Sequence, residues 1–315
     1  MNPKIEEIRS QIKVVIAGKD AIIDQVLTAI LAGGHILLED IPGVGKTTLA
    51  LAVSKALGLD FGRLQFTPDV VPSDITGFTM YEKETGRFSY RQGAVQCNFF
   101  LADEINRTSS KTQSALLEVM QEGKVTVDGE AHHMPRPFVV LATQNPVGTA
   151  GTQMLPEAQL DRFLIKLSMG YPDFEAQIEI LKTRAEEDPL DQVQPVTTPA
   201  EIETMKAAVR QMYVDEKIYR YITALAESTR THELVRLGMS PRGALALTAM
   251  AKATAFMADR DYVVPEDVDR NFVDVGRHRI LLLPKAGLTQ ATPDTVLSDI
   301  LEQVTAPKLD ERTVQ

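Results

Sequence analysis

A short run near the start of the chain has the composition of a phosphate-binding loop. Residues 40–47 read DIPGVGKT, and the glycines would let backbone N–H groups close on phosphate oxygens. Lys46 can reach the β- and γ-phosphates of a nucleotide, and Thr47 can bind Mg²⁺. Glycine usually occupies the first position of this pattern, where the chain has Asp40, but the groups that contact phosphate are present. The run therefore predicts a nucleotide site that uses Mg²⁺.

Asp103 and Glu104, which follow the apolar run 98–102, could supply the rest of a hydrolytic site. Asp103 fits a carboxylate on the metal side, and Glu104 can act as the general base that polarises a water for in-line attack. Asn145 follows the next apolar run, and its amide can orient that water or touch the γ-phosphate. Such residues also occur at strand ends without any ligand, so these roles depend on the phosphate loop. The predicted nucleotide contacts are Gly43, Val44, Gly45, Lys46, Thr47, Thr48 and Asp103, with Thr47 and Asp103 on the metal.

The apolar runs around these residues indicate a parallel sheet. Residues 35–39 read as a buried strand that leads into the loop, and residues 47–57 read as the helix after it. Residues 98–102, 138–142 and 163–167 read as further strands. Because ligands of open parallel sheets bind where the strands end, the loop, the acidic pair and the asparagine should share one edge.

Two arginines could offset the charge that develops on the γ-phosphate during hydrolysis. Arg162 lies in the run EAQLDRF at 157–163, and Arg242 lies in SPRG at 240–243, where a helix begins. Taken alone, each arginine is equally typical of a surface ion pair. We expect the two to form, with Lys46, a basic cradle around the nucleotide.

The pattern changes near residue 170 and divides the chain into two predicted domains. Residues 1–170 alternate strands and helices, and two insertions, 67–93 and 123–134, read as hairpins. Residues 171–315 read as all-helical. The predicted helices there are 174–185, 199–213, 215–230, 240–258 and 265–280, several of which begin at a proline.

Composition narrows the classes of partner and compartment. The 315 residues hold 33 Lys and Arg against 43 Asp and Glu, a net charge of −10, which argues against a protein that coats nucleic acid or anionic membrane. The single cysteine, Cys97, cannot form an internal disulfide, as is typical of a reducing compartment. It lies in an apolar run, which favours a small buried side chain. With no signal peptide and no long apolar run, we expect a cytoplasmic location.

In order and spacing, five motifs resemble the MoxR family of AAA+ ATPases: DIPGVGKT (40–47), FFLADEINR (99–107), ATQNP (142–146), EAQLDRF (157–163) and SPRG (240–243). The resemblance runs from about residue 10 to residue 285. It implies an α/β fold, with an AAA+ αβα parallel-sheet P-loop ATPase core and a C-terminal all-helical lid domain. By position it also implies the site roles, which are Walker A for Lys46 and Thr47, Walker B for Asp103 and Glu104, sensor 1 for Asn145, sensor 2 for Arg242 and arginine finger for Arg162.

The resemblance further implies ATP and Mg²⁺ as cofactors, and a finger that acts in trans on the ATP of a neighbouring subunit. Activity would then depend on a homo-oligomeric ring, expected to be a hexamer. Members of the family work as chaperone-like ATPases in maturation, or in metal or cofactor insertion, of client complexes, often with von Willebrand factor A domain partners. The two hairpin insertions would face a pore or a client. Arg107 could lie at a subunit interface, and residues 15–19 resemble the segment near adenine.

Three other functions remain to be weighed. Residues 74–77 spell the D-x-x-G of a GTPase, but no guanine motif occurs and no apolar strand leads into them. A small-molecule kinase would need an acceptor pocket and no arginine from a neighbour. A DNA-acting AAA+ motor of the helicase or loader type could use the hairpin around Lys124, His132 and His133, although the net charge of −10 disfavours nucleic acid as a partner.

Overall fold

The computed structural model describes residues 2–145, 153, 155–183 and 188–308. Within them the helices are α1 Pro3–Lys13, α2 Asp20–Leu31, α3 Lys46–Ala56, α4 Pro72–Thr76, α5 Ser110–Glu122, α6 Glu157–Leu160, α7 Phe174–Thr183, α8 Pro199–Gln211, α9 Glu216–Thr231, α10 Pro241–Met257, α11 Pro265–Gly276 and α12 Pro293–Gln303. The strands are β1 Ile36–Glu39, β2 Phe61–Gln65, β3 Phe78–Glu82, β4 Arg87–Arg91, β5 Phe99–Asp103, β6 Lys124–Val127, β7 Glu130–His133, β8 Val139–Gln144, β9 Ile165–Leu167, β10 Val235–Leu237 and β11 Leu281–Leu282. Pro146 of the ATQNP motif and the chain end from 309 onward lie outside the described residues.

The central sheet has five strands in the order β2-β5-β8-β1-β9, and every neighbouring pair is parallel. Four of these strands match the predicted apolar runs. The fifth, β2, was not predicted, because it lies at the sheet edge and its residues FGRLQ are half-buried or exposed rather than a buried apolar run. The parallel α/β core is confirmed, with one more strand than expected.

Both faces of the sheet are covered, and alternate residues of each strand enter different cores. In β1, Ile36 and Leu38 join one apolar cluster while Leu37 joins the other. The second cluster includes the buried face of α5, a helix that the sequence reading did not identify. Two buried faces explain why the central strands read as continuous apolar runs.

The first apolar cluster continues from the sheet through α1–α3 into the C-terminal helices. Helix α10 packs against α2, and α11 packs against β9. Arg270 on α11 donates to the buried Asp24 of α2 at 2.9 Å. The C-terminal region is therefore fastened to the core by both apolar packing and ion pairs.

The C-terminal region is helical, with one addition to the all-helical expectation. Strands β10 and β11 pair antiparallel and form a two-stranded sheet. They have three and two residues, too short for a periodic apolar pattern to show in the sequence. Among the described residues no helix is long and apolar enough to span a membrane.

Both predicted hairpins are present in the insertions. Strands β3 and β4 pair in the first, and β6 and β7 pair in the second. The ring of Tyr90 in β4 stacks on that of His132 in β7, with centroids 3.7 Å apart and planes 10° apart. This stacking joins the two insertions. No cluster of three or more His, Cys, Asp or Glu side chains that could hold a metal ion occurs in the described part of the chain.

Candidate active site

The phosphate loop connects β1 to α3 through glycines in a left-handed conformation. Gly45 has a φ of +96°, a value that disfavours any side chain, and α3 begins at the next residue, Lys46. The loop therefore leads directly into the positive N-terminal end of a helix, which favours bound phosphate. The Lys46 amine donates to the main-chain oxygens of Asp40 at 2.8 Å and Ile41 at 3.0 Å. Burial lowers the pKa of Lys46. Nearby carboxylates oppose this shift, and the largest opposing effect comes from Asp40.

The acidic pair at the end of β5 is held by a threonine at the end of β8. The Thr143 hydroxyl donates to Asp103 Oδ1 at 2.7 Å and accepts the Glu104 backbone N–H at 2.8 Å. The Arg63 guanidinium on β2 donates to Asp103 Oδ2 at 2.8 Å. The Asp103 carboxylate is thus buried and anchored at both oxygens, an arrangement suited to a fixed metal ligand.

Glu104 has a backbone conformation that non-glycine residues rarely adopt, with φ 58° and ψ 46°. Its carboxylate accepts from the Asn145 amide at 3.2 Å and from the Arg107 guanidinium at 2.8 Å. The structure therefore brings Asn145 to the predicted general base, as expected from the shared sheet edge. Arg107, expected at an interface, contacts the same carboxylate and is partly exposed.

A cavity of about 540 Å³ joins these groups to an apolar slot. One end is lined by residues 42–48 with Asp103 and Glu104, which includes every predicted nucleotide contact. The other end, the slot, is mostly apolar: it is lined by Val15, Ile16, Ala17, Met169, Tyr171, Pro172 and Ile180, with Lys19 and Gln177 as its polar members. The predicted adenine segment 15–19 thus contributes four residues to the slot. A polar end that suits phosphates and an apolar end that suits a flat base match the two parts of a nucleotide.

Arg162 and Arg242 do not line this cavity, so the expected cradle with Lys46 does not form within one chain. Both arginines line a second cleft of about 330 Å³, together with Gly33, Gly34 and other residues. The glycines precede β1, whereas the phosphate loop follows it. The cleft therefore lies at the opposite edge of the sheet from the loop. No carboxylate among the described residues forms an ion pair with either guanidinium.

The segment that carries Arg162 is held by a buried arginine of the C-terminal region. Arg279 donates to Asp161 Oδ1 at 2.7 Å and to the carbonyl oxygen of Phe163 at 2.6 Å. His278 also contacts the Phe163 oxygen, at 3.1 Å, and Ser240 donates to Asp161 Oδ2 at 3.2 Å. The residues on either side of Arg162 are thus fixed by side chains from the helical region.

Sequence reasoning missed three contributors to the site. Thr143 stands within the motif ATQNP, where its position after an apolar run could have indicated a role at the sheet edge. Arg63 had no signal, because its strand was not recognised. The wall formed by residues 169–172 follows the last predicted strand, and the rule that ligands bind at strand ends could have indicated it.

Comparison with known proteins gives the family. Residues 35–165 match the profile described as ATPase family associated with various cellular activities, and residues 227–300 match an AAA lid domain. The chain is 38% identical to Chaperone MoxR1 of Mycobacterium tuberculosis over 95% of this chain and 81% of that protein. The chain belongs to the MoxR family of AAA+ ATPases.

Other relatives agree with this membership. The chain is 31% identical to Protein MoxR of Methylorubrum extorquens, over 94% of this chain and 93% of that protein. It is 44% identical to YeaC of Bacillus subtilis, over 98% and 96%. A solved structure of a protein from Cytophaga hutchinsonii superposes with a TM-score of 0.90 at 38% identity, covering 97% of this chain and 95% of that one. The predicted MoxR resemblance, and the AAA+ core with a helical lid, are confirmed.

Proposed function

We propose that this MoxR-family chain hydrolyses ATP to ADP and phosphate in a Mg²⁺-dependent reaction. The observation that carries the proposal is the single cavity in which an apolar slot meets the phosphate loop and the acidic pair Asp103 and Glu104. A cavity of about 540 Å³ is within the range of small-molecule sites. The residues at its polar end are those that phosphoryl transfer requires.

Each residue has a distinct task in this proposal. Lys46 exchanges its main-chain partners for the β- and γ-phosphates, and the N-terminal end of α3 stabilises their charge. The Thr47 hydroxyl and the Asp103 carboxylate would hold Mg²⁺, which would neutralise charge on the phosphate oxygens. Glu104 accepts the proton of the attacking water, and the Asn145 amide, 3.2 Å from Glu104, orients the water or the γ-phosphate.

We propose that Arg162 acts as a finger in trans, and that Arg242, as sensor 2, acts from the same cleft on the same neighbouring nucleotide. What supports this is their joint place in a cleft away from their own phosphate loop, with no carboxylate partner among the described residues. A site completed by a neighbour requires assembly of several copies, and we propose a hexameric ring. Two guanidinium groups would stabilise the charge that develops on the transferred phosphoryl group.

For the biological role we propose chaperone-like remodelling of a client complex in the cytoplasm, during its maturation or during metal or cofactor insertion. We propose a von Willebrand factor A domain protein as the partner. The support is the similarity to Chaperone MoxR1 and the hairpin β3–β4, where Phe78, Tyr81 and Phe88 are exposed and could contact a client. We place the boundary between the ATPase core, 1–170, and the lid, 171–315, near residue 170.

The test is steady-state hydrolysis with equilibrium binding on two variants. Lys46→Ala should lose ATP binding, because the cation that faces the phosphates is removed. Glu104→Gln should bind ATP with hydrolysis lowered by about 10²- to 10⁴-fold, the usual contribution of a general base. Glu227→Gln, an exposed carboxylate on α9, is the matched control and should be unchanged. Unaltered turnover in Glu104→Gln would refute the assignment.

A further inference from the structure

The position where phosphate loops usually have glycine holds a buried carboxylate in this chain. Asp40 is 6% exposed. Its Oδ1 accepts the backbone N–H of Ile41 at 3.0 Å. Its Oδ2 accepts the backbone N–H of Met169, that of Gly170 at 2.8 Å, and the Ser168 hydroxyl at 3.2 Å. One carboxylate therefore binds the start of the phosphate loop to the segment that follows β9.

The backbone of Asp40 belongs to the phosphate end of the cavity. Its N–H donates to the Gln144 carbonyl oxygen at 3.3 Å, which extends the pairing of β1 with β8. Its own carbonyl oxygen accepts from the Lys46 amine at 2.8 Å. These two bonds use only the backbone of Asp40, so the phosphate loop should keep its position when the carboxylate alone is changed.

The segment held by the Asp40 side chain forms a wall at the other end of the cavity. Met169, Tyr171 and Pro172 line the apolar slot together with residues 15–17. The same segment is held on its other side by Lys19, whose amine donates to the carbonyl oxygens of Met169 at 2.5 Å and Tyr171 at 2.8 Å. With glycine at position 40, the N–H groups that face the carboxylate would lose their acceptor, while the two bonds from Lys19 would remain on the other side of the segment.

We propose that Asp40 is a positioning residue that fixes the distance between the base-binding wall and the phosphate loop, so that a nucleoside triphosphate is bound at both ends. The proposal rests on the proposed function of the cavity as an ATP site. Asp40 acts on the base through Met169 and Gly170 rather than by touching the nucleotide. It follows that loss of the carboxylate weakens ligands that have a base and spares ligands that have only phosphates.

The experiment compares the affinity for ATP with that for inorganic tripolyphosphate, each with Mg²⁺, in purified full-length protein. Asp40→Asn should weaken ATP by about 10- to 100-fold, the effect of losing hydrogen bonds to a charged group, and should change tripolyphosphate by less than about threefold. Glu227→Gln is the matched control: it makes the same change from carboxylate to amide at an exposed position away from the cavity, and should change both affinities by less than about threefold.

Lys19→Met provides a second test from the other side of the wall, at a half-buried position, in case Asp40→Asn does not fold. It should also weaken ATP and spare tripolyphosphate. Equal loss of both ligands in whichever of these variants folds, or no loss of ATP, would overturn the proposal while leaving the ATPase function intact. Failure of the unaltered protein to bind ATP would instead overturn the proposed function and, with it, the role of Asp40.

Discussion

Replacing Arg279 with methionine should remove one defined set of contacts between the C-terminal helical region and the sheet core. Arg279 is 7% exposed. Besides Asp161 and Phe163, its guanidinium donates to the carbonyl oxygens of Leu164 at 2.9 Å and Val275 at 2.6 Å. Burial lowers the pKa of Arg279, and the Asp161 carboxylate opposes that shift. Methionine keeps much of the length and apolar volume but removes the charge and every donor.

The expected cost follows from what the substitution leaves behind. Removing one partner of a buried ion pair costs about 3–5 kcal/mol, because the other charge is left without compensation. Asp161 keeps the Ser240 hydroxyl, and 24% of its side chain is exposed, so water can replace part of the lost contact. We therefore expect a loss near the lower limit, about 3 kcal/mol in the free energy of unfolding.

A second ion pair between the same two regions gives the control. Arg236 of β10 contacts Glu157 of α6 at 3.3 Å, but the two side chains are 61% and 53% exposed. Exposed pairs contribute about 0–1 kcal/mol, so Arg236→Met should change stability little. The contrast between the two variants isolates the effect of burial from that of charge.

The assay is urea unfolding followed by far-ultraviolet circular dichroism, since the chain has no tryptophan for fluorescence. Steady-state ATPase kinetics give a second readout, because Arg162 lies between the two residues that Arg279 holds. In Arg279→Met the kcat should fall while ATP affinity at the separate cavity is retained. If Arg279→Met destabilised the protein no more than Arg236→Met, the reasoning from burial would be wrong.

Two further predictions concern assembly and pH. Mixing Lys46→Ala with Arg162→Ala subunits should give more ATPase activity than the two variants give separately. The intact phosphate loop of an Arg162→Ala subunit would receive Arg162 from a Lys46→Ala neighbour. A mixture no more active than its parts would refute action in trans. Both ring nitrogens of His35 bond main-chain groups, and burial lowers the pKa of His35 from 6.5 to about 4. The folded state therefore binds fewer protons than the unfolded state. Neutral His35 stabilises the fold above pH 6.5, and this stabilisation is lost as the pH falls toward 4. His35→Gln should remove up to about 3 kcal/mol of that pH dependence, measured by thermal unfolding from pH 4 to 7, and an unchanged pH profile would contradict it.

The sheet edge that carries the acidic pair was predictable because local sequence and strand direction agree there. Asp103 and Glu104 follow an apolar run, and parallel strands carry such residues to one edge. Arg63 was not predictable, because it lies on an edge strand without an apolar pattern and contacts Asp103 only through tertiary pairing. The hydrogen bonds of Asp40 to residues 168–170 depend likewise on strands that are distant in sequence.

Strand direction also explains why the arginines lie far from the phosphate loop. Glu104 follows β5 and lies at the edge where strands end, whereas Arg162 precedes β9, which is parallel to β1, and lies at the edge where strands begin. The four residues of β1 span about 13 Å, more than an arginine side chain can reach. An arginine at the beginning of this sheet can therefore act on a γ-phosphate at its end only if the nucleotide belongs to another copy. The proposed action of Arg162 in trans would then follow from its place before a strand, and the mixing experiment tests that proposal directly.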